Sequence, residues 1–248
     1  MKKRFPVLCL LALGFSGLYA TSVQAEEPAS LTGSLALTSD YAFRGLTQTN
    51  RDPALQGGLE YASASGFYVG TWGSNISWLS DGQDSVSSSL EVDGYAGYRG
   101  TWGDAVSYDV GLLYYWYPGS YPAGFTDPDT LEGYFSVGWS IFTLKYSHAF
   151  TDLFGIDGAN GSGYLDLALS QGFAESWTFD AHVGHQRVDG FSDLDYTDWS
   201  LGVSRDLGNG FGLSLAYVDT NADKDFYTNA FGKYVGKATG ILTLSKDF

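Results

Sequence analysis

The chain has 248 residues, with 33 Gly, 18 Tyr, 16 Phe and 7 Trp against a single Cys, a single Met and 6 Pro; its 17% charged residues fall short of the about 25% of an ordinary soluble domain. A hydrophobic content of 44% excludes a disordered chain, which buries too little apolar surface to fold. A formal net charge of −15 argues against nucleic acid as a partner, because phosphate binding draws on Lys and Arg, and one cysteine makes neither a disulfide framework nor a cysteine zinc site.

The N-terminus carries Lys2, Lys3 and Arg4, then an apolar stretch from Val7 to Leu18, then Val23, Gln24 and Ala25. A basic start, a short greasy run and small residues at the end form the pattern of a secretory signal peptide over residues 1–25, with cleavage expected after Ala25. Removing its three cations leaves ten Lys and Arg against 28 Asp and Glu, and no cysteine, in the exported chain of residues 26–248. No later apolar run reaches the roughly 18 to 20 residues of a spanning helix. A membrane-crossing form of this chain therefore has to be a closed β-barrel, the other structure that satisfies backbone groups in lipid.

From Leu31 onward the dominant signal is alternation with period two. Leu31, Gly33, Leu35, Leu37, Ser39, Tyr41 and Phe43 share one face; Thr32, Ser34, Ala36, Thr38, Asp40, Ala42 and Arg44 share the other. This predicts a first strand over 31–44. Eleven more are predicted near 54–63, 66–77, 86–99, 105–117, 130–139, 141–150, 162–172, 177–188, 196–205, 210–220 and 234–248. The connections alternate between short ones, such as 63–65 and 206–209, and longer Gly-, Asp- and Ser-rich ones, such as 45–53 and 220–233. Short turns at one end and long loops at the other are the layout of an outer-membrane barrel, and an even strand number puts both termini at the periplasmic end. The expected fold is thus all-β, one transmembrane antiparallel barrel of about 12 strands.

Alternation alone does not say which face looks outward, since a soluble lipocalin-like barrel alternates too. Charged residues on the polar faces of many strands, aromatics near strand ends (Tyr41, Phe43, Trp78, Tyr98, Trp102, Trp116, Trp139, Trp177, Trp199 and Phe211) and a terminal Phe248 favour the apolar face outside. Leu242 and Leu244 share the face of Phe248, while Lys246 on that face has to snorkel to the interface.

The segment Ser39-Asp40-Tyr41-Ala42-Phe43-Arg44-Gly45 is followed by Pro53-Ala54-Leu55-Gln56-Gly57 and by Gly66-Phe67-Tyr68-Val69-Gly70-Thr71-Trp72-Gly73-Ser74-Asn75. Over residues 39–75 the chain resembles the TorF family, a group proposed to be porins and earlier filed as Gcw_chp, a conserved proteobacterial family of unknown function. Ala42 departs from the family pattern, where a polar or larger residue is common. The resemblance implies an exported outer-membrane barrel and a pore, with Phe248 resembling the assembly signal of such barrels; it implies no substrate.

The polar faces predict a lumen lined by Asp40, Arg44, Gln56, Glu60, Glu91, Asp93, Arg99, Asp109, Glu132, Lys145, Asp166, Asp180, Asp198 and Lys237. Asp40 and Arg44, four apart on the first strand, are expected to form a salt bridge on the barrel wall; the other reading points Arg44 at a constriction with the loop 45–53 folded beside it. Nine acids against four bases predict a lumen that favours cations or neutral solutes over phosphates and acidic sugars. His182 lies beside Asp180 on the polar face, while His185 faces the other side; a lipid hydrolase would need a Ser-His-acid site, and no Gly-x-Ser-x-Gly elbow is present. The run Asp219, Asn221, Asp223, Asp225 has the start of a calcium loop, but Lys224 and Ala230 replace its Gly and Glu, which leaves a solvated acidic loop.

The resulting expectation is a passive outer-membrane pore without cofactor, metal or catalytic site. Its partners are small solutes, outer-membrane lipids and lipopolysaccharide, and the barrel-assembly machinery through the last strand. A plugged structural or surface-interaction barrel, a lipid hydrolase and a soluble periplasmic barrel are the rivals.

Overall fold

A computed structural model describes residues 29–82 and 85–248, so the expected signal peptide lies outside the described residues. In chain order come β1 (Ser30–Thr38), a two-rung hairpin of β2 (Ala42–Phe43) and β3 (Leu46–Thr47), β4 (Ala54–Ala62), β5 (Phe67–Asn75) and the short helix α1 (Trp78–Gly82). Then follow β6 (Leu90–Trp102), β7 (Val106–Trp116), β8 (Thr130–Trp139), β9 (Phe142–Ala149), β10 (Gly163–Ala174), β11 (Trp177–Arg187), β12 (Tyr196–Gly208), β13 (Phe211–Thr220) and β14 (Thr239–Asp247).

All of these strands except β2 and β3 form one closed barrel of twelve, each antiparallel to its neighbours. Closure is made by β1, which pairs with β4 from Ser30↔Ala62 to Thr38↔Ala54 and with β14 from Ser34↔Asp247 to Thr38↔Thr243. Closing the sheet satisfies every wall strand on both sides and removes the free edge. The short connections, at 63–66, 103–105, 140–141, 175–176 and 209–210, lie at one end with Ser30 and Asp247, and the long ones at the other.

The period-two pattern places the large apolar side chains outside. Leu31, Leu59, Val69, Leu112, Leu144, Leu201, Leu215 and Leu242 are exposed, and most alternate positions are buried or half-buried and polar or glycine. Inside, bulky tyrosines need room against the wall, and glycines on adjacent strands supply it. A Cβ on Gly184 would overlap the Tyr164 hydroxyl, and one on Gly97 that of Tyr68. Here the high glycine and aromatic contents serve the same end.

The first strand is shorter than its alternation predicts. It stops at Thr38, whose Oγ1 donates to the Asp40 carbonyl at 2.9 Å, and Asp40 accepts from Thr47 at 2.5 Å and Thr49 at 3.1 Å. Arg44 (φ 46°) and Gly45 (φ 78°) then reverse the chain in the left-handed region. A Cβ on Gly45 would lie 2.5 Å from that of Asp198, so the turn is pressed against the wall and only glycine fits it. The segment 39–53 thus folds into the barrel. Tyr41 and Phe43, expected among the interfacial aromatics, are instead buried with Ile76, Leu79, Val86, Tyr115, Tyr117 and Tyr134. At about 1.5–3 kcal/mol per large apolar side chain buried, these two rings hold the hairpin in place. The last strand also starts later than expected, at Thr239, because residues 234–235 pair with the hairpin instead: the Thr47 N–H donates to the Val235 carbonyl at 3.0 Å and Arg51 Nη2 to the Tyr234 carbonyl at 2.5 Å.

Candidate functional site

The hairpin carries Arg44 into the bore near its long-loop end, beside the start of β8 and the end of β11. Its Nη2 donates to both Glu132 oxygens, at 2.9 and 2.7 Å, and its Nη1 to Gln186 Oε1 at 2.8 Å. Both charged side chains are nearly inaccessible, at 5% and 3% exposure. The guanidinium also lies over the rings of Tyr164 (4.4 Å) and Phe43 (4.8 Å), which suits its planar, weakly hydrated face. Burial favours loss of the Arg44 proton, but the Glu132 charge outweighs it and holds that proton more firmly than usual. Asp40 stands in the loop ahead of the hairpin, its carboxyl raised above the ordinary range by burial and drawn back by the hydroxyls of Thr47 and Thr49. The expected Asp40–Arg44 salt bridge on the wall does not form: the turn separates the two, and each finds other partners.

Two further groups of wall residues meet across strands. Near the short-turn end Arg99 pairs with Glu60 and lies 4.0 Å over the Tyr68 ring. Tyr68 donates to Asp109 at 2.5 Å and meets the Tyr134 hydroxyl, and Lys145 lies 4.2 Å over the Tyr134 ring. Farther round, His182 bridges Asp166 (3.3 Å, Nδ1) and Asp198 (3.2 Å, Nε2), and Tyr164 donates to Asp198 at 2.9 Å. Glu91 accepts from the hairpin's Tyr41 at 3.0 Å; Gln56 Nε2 reaches Ser74 at 3.4 Å, and Asp180 accepts from Ser204 at 3.4 Å. Asp93 is buried with one carboxylate oxygen unpartnered. Lys237 stands apart, exposed in the loop before β14. Lys246 reaches the Asn209 carbonyl at 2.9 Å from beside the Phe248 ring, the snorkelling its position required.

Register matters for the hydrolase reading. Ser200 lies directly across from His182, buried, with no partner for its hydroxyl. Both imidazole nitrogens face carboxylates, so neither is placed to take the Ser200 proton. The sequence alone places His182 beside Asp180; it does not show that His182 joins Asp166 to Asp198 or that Gln186 meets Arg44, because only strand register and the hairpin bring them together. The alternative of Arg44 at a constriction beside a folded 45–53 loop came without the hairpin of β2 and β3, whose one local sign is Arg44-Gly45 followed by Leu46.

The family model described as "Bacterial protein of unknown function (Gcw_chp)" matches residues 22–248. No curated protein matches the sequence. Among solved structures, the barrel is similar to "KdgM porin" (TM-score 0.56, 8% identity, 88% of this chain and 98% of that one). It is also similar to "KdgM porin in complex with disordered oligogalacturonate" (0.55, 8%, 88% and 97%) and to "NanC porin structure in rhombohedral crystal form" (0.52, 12%, 88% and 99%). At such identities the likeness is one of fold.

Proposed function

This chain belongs to the Gcw_chp family, and from that premise we propose that it is an outer-membrane, porin-like channel for passive diffusion of small neutral or cationic solutes. One observation carries the reading: a closed twelve-stranded wall turns its large apolar side chains outward and its carboxylates inward. An outward band of this kind is costly in water and at rest in hydrocarbon. The fold it shares with solved porins supports the same reading. On it the N-terminal segment is a signal peptide removed after Ala25, both ends of the barrel are periplasmic, Phe248 is the mark read by the assembly machinery, and the long loops meet lipopolysaccharide. The chain is not an enzyme on this reading; the doubly engaged His182 is a wall cross-link.

Interior charge sets the solute class. Asp109, Asp166, Asp180, Asp198, Glu60, Glu91, Asp93 and Glu132 lie on wall strands with Arg99, Lys145 and the hairpin's Arg44 as cations against them. Excess carboxylate favours cations and opposes polyanions. Oligogalacturonate, named with the KdgM structure, is a polyanion, so the two proteins need not share a solute. Liposome swelling with the Arg44→Met barrel, which frees the segment 39–53 from Glu132, tests this: arabinose should enter faster than glucuronate, and entry of both above empty liposomes at equal or reversed rates would remove the acidic-lumen claim.

The inward hairpin favours a second reading of the resting state. Buried rings and the Arg44–Glu132 pair fill the loop end of the bore, so the wild-type barrel is a narrow or closed conduit until segment 39–53 shifts. A barrel that stays impermeable after the hairpin is released would be a plugged structural protein instead.

A further inference from the structure

Above the hairpin, among the long loops, lies a cavity of about 320 Å³. Its floor is Arg44, Tyr117 and Gln186, all buried, and its rim is Gly82, Phe226 and Thr228, all exposed, so it opens at the loop end of the barrel. Its size falls within the range of small-molecule sites. Three of its lining residues hold polar atoms that are buried without any hydrogen-bond partner: the indole N–H of Trp78, the side-chain oxygen of Asn50 and the side-chain nitrogen of Asn229. Buried polar atoms are nearly always paired, and three orphans around one hollow point to a group from outside. The remaining walls are largely apolar, with Leu46, Leu153, Ile156 and Val188 beside aromatic pairs. Trp78 meets Tyr117 edge-on at 5.5 Å, Phe43 meets Phe154 at 5.5 Å, and Tyr196 meets Tyr227 at 5.2 Å.

Charge narrows the occupant. Arg44 is the only cation lining the cavity among the described residues, and Glu132 already holds it. Asp81 accepts from Ser77 at 2.7 Å and would repel an anion. We propose that this cavity binds a small uncharged molecule built on an apolar ring with oxygen substituents, a phenol or aromatic alcohol. The ring lies against the apolar walls; a turn of the Trp78 or Asn229 side chain brings its unpaired N–H to the oxygen substituent, and a turn of Asn50 lets its side-chain oxygen accept from the hydroxyl. Binding here needs no conduction, so it stands or falls apart from the channel reading.

The test is ¹⁹F NMR of 4-fluorophenol with the full-length mature barrel in phospholipid nanodiscs, against empty discs to subtract partition into lipid. Trp78→Phe keeps the ring and deletes the donor; Thr228→Trp fills the exposed mouth. A heat-modifiable gel shift checks that both variants fold. The wild type should broaden the probe resonance beyond the empty disc, Trp78→Phe should weaken binding about threefold to tenfold, and Thr228→Trp should abolish it. Broadening no greater than in empty discs overturns the proposal, as does binding that Trp78→Phe leaves unchanged; that second comparison holds even where Thr228→Trp fails to fold.

Discussion

Replacing Arg44 with Met keeps the length of the side chain and removes its charge. Glu132, with its side chain 3% exposed, then loses both Nη2 hydrogen bonds and keeps only Tyr115 at 3.2 Å. Breaking a buried ion pair by deleting one partner costs about 3–5 kcal/mol, most of it the stranded charge. Lys145 sits on the same interior face and offsets part of that, so the lower end, about 3 kcal/mol, is expected. Removing both charges should recover most of it, because Arg44→Met with Glu132→Leu removes both members of the pair and strands neither. Urea unfolding of the barrel in phospholipid vesicles, followed by tryptophan fluorescence, measures both. The reasoning is refuted if the single variant loses less than about 1 kcal/mol, or if the double variant is no more stable than the single.

Gly184→Ala drives a methyl into the Tyr164 hydroxyl and should destabilise the barrel by about 1–3 kcal/mol, whereas the same change at Gly94, where open space faces the new atom, should cost less than about 1 kcal/mol in the same unfolding assay. Arg99→Gln breaks a pair whose side chains are 15% and 16% exposed, and should cost less than Arg44→Met; equal losses would show that depth in the barrel does not matter. Burial holds the Asp40 carboxyl above its ordinary 3.8. The folded state therefore takes up the proton first, so this group's penalty applies above the raised value and eases as pH falls toward 3.8. Asp40→Asn should remove that acid-side gain in unfolding curves compared with the wild type. Intact mass of the protein recovered from outer membranes should begin at Glu26, and a retained N-terminus would refute the signal peptide.

The wall was legible because its physics is local: a strand with one greasy and one polar face writes its period into the sequence, and ten of the twelve expected segments overlap wall strands closely in length, the first and the last being longer than the strands they cover. The first shows where that logic ends. Tyr41 and Phe43 keep the alternation of β1, yet Asp40 takes two threonine hydroxyls and Gly45 permits a turn against Asp198, so the same pattern runs inward rather than along the wall. Which carboxylate meets which cation was not legible. Glu132 and Arg44 are 88 residues apart, and His182 reaches Asp166 and Asp198 only through the register of three neighbouring strands. Lys237 was assigned to the lumen by extending the alternation of β14 past its true start.

Single-channel recording in a planar bilayer under a KCl gradient tests the central claim most directly, with the wild type and Arg44→Met side by side. The predicted result is discrete steps whose reversal potential has the sign of cation preference, larger or more frequent when Arg44 no longer anchors the hairpin. Folded protein that gives no steps in either form, or steps that favour chloride, would contradict it.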